Sequence, residues 1–174
     1  MTEQLGLMEI LGIAGSVSLL SGWRLYLTVL ATGLAMRFDV LPLPEHLQAL
    51  QALANPWVMG IAGLAAFMEF FADKILWLDS IWDTVHTFIR PVGGALLTLA
   101  VIDPADPATQ AIAFILGGGA SLLAHGGKAS ARAVVNTSPE PFSNIAVSTV
   151  EDVATTGLLY LAYSHPVAAG VVAA

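Results

Sequence analysis

Ionisable side chains stand inside otherwise apolar stretches of this chain, and their spacing groups them. In LDSIWDTVHTFIR, residues 78–90, Asp79, Asp83, His86 and Arg90 fall at i, i+4, i+7 and i+11, one stripe of a helix. Leu78, Ile81, Trp82, Val85 and Ile89 form another stripe. Two carboxylates and an imidazole on one face can hold a divalent cation or pass protons, because histidine titrates near neutrality. Asp79, Asp83 and His86 are therefore metal candidates, although their spacing matches no named metalloenzyme motif. Lys74 and Arg90 lie close enough in sequence to neutralise these carboxylates instead.

A second acidic pair, Glu69 and Asp73, shares a helix face at i, i+4, with Lys74 beside it. A basic stripe follows in the second half, where His125, Lys128 and Arg132 occupy i, i+3 and i+7 with Asn136 one turn on. Glu140, Glu151 and Asp152 are candidate partners for it, and Arg24 interrupts the first apolar run. An ionisable group at membrane depth is unfavourable by several kcal/mol, so its presence there points to an ion or substrate pathway. The alternative is that these groups snorkel, face water or meet anionic headgroups.

The elements that position them follow from composition. The chain has 174 residues, 56% hydrophobic and 11% charged, with a mean hydropathy of +0.77. A soluble domain carries about a quarter charged residues, so this is an all-α integral membrane protein, read as a single helical domain over 1–174. A net charge of −7 from six Lys and Arg removes the basic footprint of a nucleic-acid binder. Cysteine is absent, which excludes a disulfide scaffold. The opening MTEQLGLMEILG has no basic residue, so the first apolar segment is expected to remain in the mature protein.

About five transmembrane segments are expected, near residues 5–36, 57–73, 91–102, 108–136 and 145–163, the last extended past Pro166. The first is too long to stand upright and is strongly tilted or broken near Ser21, Gly22, Trp23 and Arg24. EHLQALQALA reads as an interfacial turn of helix in an external loop. Residues 76–90 are expected to span, re-enter or lie on the membrane as an amphipathic helix. Counting Lys74, Arg90, Lys128 and Arg132 on one side against Arg37 on the other puts the N-terminus in the cytoplasm.

GSVSLL at 15–20 resembles GGASLL at 118–123, each followed by a glycine and a cation: Gly22 and Arg24, then Gly126 and Lys128. With two spans between the copies, an inverted-topology repeat is expected, with halves 5–90 and 91–174 and two broken helices meeting near the midplane. The glycines equally serve close helix packing.

The runs FADKILWLDSIWDTVHTFIRPVGGALL and AHGGKASARAVVNTSPEPFSN resemble a small bacterial membrane family known as domain of unknown function 4126. The resemblance covers almost the whole chain. It implies a multi-pass protein of the bacterial cytoplasmic membrane and supplies no activity. The residues themselves point to a small transporter or channel-like protein for a charged solute or ion, working in the lipid bilayer as a homo-oligomer such as a dimer, with no cofactor and no nucleic-acid partner. Fifteen residues are expected along its pathway: Arg24, Glu69, Asp73, Lys74, Asp79, Asp83, His86, Arg90, His125, Lys128, Arg132, Asn136, Glu140, Glu151 and Asp152. A lipid-acting enzyme using His86 or His125, or a structural membrane subunit, are the alternatives; no catalytic motif such as GxSxG or HExxH is present.

Overall fold

The computed structural model describes residues 6–40, 45–102, 105–137 and 142–173, and among them every regular element is helical. The helices are α1 (Leu7–Arg37), a 3-10 helix (Glu45–Ala54), α2 (Pro56–Ala72), α3 (Leu76–Ile102), α4 (Pro107–Val135), α5 (Phe142–Ser164) and α6 (Pro166–Ala173). Four of them, α1, α3, α4 and α5, are long and apolar enough to cross a membrane, and α2 is a shorter apolar helix. Local chemistry sets several starts. Asn55 accepts the Trp57 N–H with Pro56 at the first helical position of α2, and Asp106 does the same for α4, accepting from Ala108 and Thr109 ahead of Pro107. The chain leaves α1 through Asp39 at φ 47°, a left-handed conformation that aspartate tolerates.

α1 is broken at Arg24, whose φ of −143° and ψ of 73° lie outside the helical region. The break turns the chain back on itself. A straight helix would separate Gly12 from Thr32 by about 30 Å. Yet a Cβ on Gly12 would strike the Pro166 carbonyl, while the Thr32 hydroxyl bonds the Tyr163 hydroxyl at 2.9 Å, and Tyr163 and Pro166 are three residues apart. Both arms of α1, residues 7–23 and 25–37, therefore descend from Arg24 to the same end of the molecule. α5 confirms the geometry by running from Ser148, bonded to Arg24, down to Tyr163. A core of Ile13, Val17, Met36, Leu47, Leu97, Val101 and Leu159 fills the space between the arms, the 3-10 helix, α3 and α5.

Several expectations need correction. The second glycine-rich segment is not broken: α4 runs unbroken from Pro107 to Val135 through His125, Gly126 and Gly127. The two similar segments are also parallel and not inverted, since Ser18 bonds the Gly117 carbonyl and Ser21 bonds Ser121, contacts that ascend together along both chains. Residues 76–90 and 91–102 are one helix, α3, with Pro91 inside it. Membrane helices tolerate such a proline, and next to it Ser121 Oγ of α4 donates to the Arg90 carbonyl at 2.8 Å, tying α4 to α3 at this point. EHLQALQALA is helical as expected, but Leu47 and Leu50 are buried, so it packs on the bundle. The tail after Pro166 is a separate helix, α6, against Gly12.

Candidate functional site

At the turn of α1 five helical segments deliver charge into the protein interior. Arg24 comes from α1, Glu69 and Asp73 from the end of α2, Asp79, Asp83 and Arg90 from α3, Lys128 and Arg132 from α4, and Glu151 and Asp152 from α5. Arg24 pairs with Asp73, with Glu151 at 3.0 Å and Asp152 at 3.0 Å, and its Nη2 donates to Ser148 Oγ and the Ser148 carbonyl, each at 3.1 Å. Arg90 binds Glu69 at 2.5 Å and Asp83 at 3.4 Å. Lys128 stands 3.7 Å from Glu69, 3.8 Å from Asp73 and 3.7 Å from Glu151. Arg132 holds Asp79 at 3.1 Å and donates to the Asp73 carbonyl, and Asn136 Nδ2 donates to the other oxygen of Asp79 at 2.8 Å. The result is one continuous network, in which all four cations are at most 3% exposed.

The broken backbone is part of this network. A helix that ends at residue 23 leaves its last carbonyls without intrahelical partners and presents a negative dipole end. Arg90 Nη1 donates to the Gly22 carbonyl at 3.3 Å, and Lys128 Nζ to the Trp23 carbonyl at 3.3 Å. The cations of α3 and α4 thus cap the first arm of α1. Close approach makes this reach feasible: a Cβ on Gly22 would strike the Ser121 carbonyl of α4. On the same principle Lys74 caps α2, its Nζ 2.9 Å from the Phe70 carbonyl and 3.0 Å above the Phe70 ring. Burial lowers the Lys74 ammonium below its ordinary value, with Asp152 opposing that effect.

Of the two histidines beside the network, His125 is held in one defined neutral tautomer. Arg90 Nη1 lies 2.6 Å from His125 Nδ1, and since guanidinium only donates, Nδ1 must be the bare nitrogen. The Nε2–H then donates to the Asp83 carbonyl at 3.1 Å and to Thr87 Oγ1 at 3.0 Å. In His86, Nδ1–H donates to the Trp82 carbonyl at 2.7 Å, and Nε2 hydrogen-bonds the Tyr26 hydroxyl at 2.9 Å. His86 also stacks on Trp82, to one side of the ion pairs.

The network reaches the surface through a polar cleft of about 230 Å³ between α3 and α4, lined by Asp79, Asp83, Thr87, Arg132 and Asn136 among others. One water needs roughly 10–15 Å³ of such space, so the cleft has room for several. Carboxylates outnumber cations in the network six to four, and still do when Lys74 is counted.

Of the fifteen expected pathway residues, ten form the ion-pair network, and Asn136 and His125 bond into it. Lys74 sits at its margin, His86 beside it, and Glu140 lies outside the described residues. Asp79, Asp83 and His86 do not form a ligand set: their partners are Arg132 and Asn136, Arg90, and Tyr26 with Trp82, and no group of three suitable ligands occurs among the described residues. Arg90, Lys128 and Arg132, counted as loop charges for orientation, are buried, so they do not report which end faces the cytoplasm. Ser148, Tyr26 and Thr87 were missed. Ser148 carried a usable signal, since it lies one turn before Glu151 and Asp152 on the same face of α5.

Fold and site together define a multi-pass helical membrane protein built around a buried ion-pair network at a broken helix. The chain belongs to the family described as Domain of unknown function (DUF4126), whose model matches residues 11–174. No curated protein and no solved structure matches it.

Proposed function

We propose that this protein is a small membrane transporter or channel-like protein for protons or a small cation, working in the bacterial cytoplasmic membrane. One observation carries the reading: ten charged side chains from five helical segments converge on the break in α1 and connect to an open polar cleft. The excess of carboxylates favours a positive cargo, because an anion entering here would meet net negative charge at low dielectric. Buried networks of this kind mark ion and proton routes in membranes. The outward glycines Gly119, Gly126 and Gly127 of α4 have open space above them and suit close packing with a second copy, so a homodimer belongs to the same proposal.

A structural subunit is the second reading, favoured by the pairing of all four network cations within 4 Å of a carboxylate. Reconstitution into liposomes separates the two. Transport requires that an imposed pH or monovalent-cation gradient dissipate faster with the protein than without it, and that Asp83→Asn abolish the difference while the variant still purifies folded. Wild-type liposomes as tight as empty ones would overturn the transport reading in favour of the structural one.

A further inference from the structure

A row of hydroxyls leads from the ion-pair network along the contact between α1 and α5, away from the polar cleft. On α5, Ser148, Glu151 with Asp152, Thr155, Leu159 and Tyr163 follow one another at three- and four-residue steps, so they share a face. On the second arm of α1, Arg24, Thr28 and Thr32 do the same. The top of the two faces is joined by Arg24 with Ser148 and the bottom by the Thr32–Tyr163 hydrogen bond. Thr28 and Thr155 therefore lie between two joined points, about 6 Å and about 10 Å along their helices from Arg24 and Ser148. Both are 0% exposed, and neither hydroxyl has a hydrogen-bond partner in the protein. Ser16, about 12 Å down the first arm and beside Leu158 of α5, is a third buried hydroxyl of this kind.

Hydroxyls between membrane helices ordinarily act by bonding across the contact, as Thr32 and Tyr163 do. Thr28 and Thr155 bond nothing, and an unmatched buried polar group is unfavourable relative to a methyl of the same shape. Their presence at this depth is explained if a species that can donate to or coordinate oxygen visits them. We propose that the α1–α5 contact is the second leg of the conduction path, taking the cargo from the carboxylates of the network past Thr28 and Thr155 toward the end of the molecule that holds α6. The cargo chemistry is that of a proton on a water chain or a small monovalent cation, either of which hydroxyl oxygens can accommodate.

This inference rests on the transport reading, and its tests are chosen to fail separately from it. Thr28→Val and Thr155→Val keep the shape and delete the hydroxyl; each is expected to cut liposome flux at least tenfold while leaving thermal stability unchanged or higher. Loss with a pH gradient alone identifies the proton, and loss with a sodium or potassium gradient identifies the cation. Flux within twofold of wild type in both variants would overturn the second leg and leave the cleft and network standing. A readout independent of flux uses the absence of native cysteine: Thr155→Cys should react in membranes with a small water-soluble thiosulfonate, whereas Val17→Cys, in the closed core, should not. If Thr87→Cys in the cleft reacts and Thr155→Cys does not, the contact is dry and the inference fails.

Discussion

Two stretches with nearly the same residues, GSVSLLSGWR and GGASLLAHGGK, lie side by side and parallel, yet one ends a helical arm and the other passes straight through. Glycine content does not decide this. The broken segment has one glycine, Gly22, in the turn before Arg24, whereas Gly126 and Gly127 interrupt nothing in α4. The difference lies in what each cation meets. Arg24 presents a rigid fork with several donors, and Asp73, Glu151, Asp152 and Ser148 take them from α2 and α5. Lys128 is a point charge on a flexible stem that reaches Glu69, Asp73 and Glu151 from an intact helix. Its remaining donor capacity goes to the Trp23 carbonyl that the break exposes. The unbroken segment thus stabilises the end of the broken one.

The largest test of that contrast is removal of each cation. Arg24→Ala leaves Asp73 and its neighbours buried beside fewer positive charges and removes what holds the turn, so it should lower stability by about 3–5 kcal/mol, the loss expected when one partner of a buried pair is deleted. Lys128→Ala should be milder, because Arg24, Arg90 and Arg132 still serve its carboxylates. Denaturant titration of both variants in the same detergent checks the order. Equal losses would mean that the break owes nothing special to the guanidinium, and Arg24→Lys should then be harmless as well.

Glycine substitutions probe the packing side of the same comparison. Gly22→Leu drives a side chain into the Ser121 backbone and should lower stability by about 1–3 kcal/mol, as overpacking does. Within one chain Gly126→Ala meets nothing within 4 Å and replaces a poor helix former, so under dilution that dissociates the proposed dimer a gain of about 0.5–1 kcal/mol is expected. Thermal unfolding of the pair measures both signs at once. A loss at Gly126 that depends on protein concentration would place a second copy against that face.

Much of this was legible in the sequence. Ionisable residues spaced at three, four and seven in apolar helices have few ways to be satisfied except one another, which is why Glu69, Asp73, Asp79, Arg90, Lys128 and Arg132 could be singled out before any geometry. The turn at Arg24 was half legible. An apolar run of over thirty residues had to tilt or break, but whether the chain continued or returned depends on contacts with Pro166 and Tyr163, more than 120 residues away. Pro91 misled in the other direction. Its local signal is a helix boundary, yet α3 runs on through it to Ile102 packed against α4, a tertiary contact that no local signal shows. Thr28 and Thr155 carried no signal, since a threonine in a membrane helix ordinarily bonds its own backbone or a neighbour.

The smallest effect expected concerns how the two similar segments are anchored upstream. α1 begins at Gly6, whose N–H donates back to Glu9 Oε2 at 2.7 Å, and α4 begins at Asp106, whose carboxylate accepts from Ala108 and Thr109, each at 3.0 Å. The Thr109 side chain and N–H, with the Ala108 N–H, hold the Asp106 carboxyl below its ordinary value. A carboxyl whose folded value is depressed adds stability above its unfolded value, near 4, and that contribution is lost as pH falls through the folded value. Asp106→Asn, which keeps an acceptor and removes the charge, should therefore match wild type at low pH and fall slightly below it at pH 7. Asp106→Ala should lie below both at pH 7, because the cap itself is gone. Since Asp106 is fully exposed, any difference should also shrink in high salt, which hydrogen exchange at Ala108 and Thr109 would resolve more finely than global unfolding. Protection there that ignores both pH and the substitution would mean that α4 is anchored by its contacts with α1 and α3 alone.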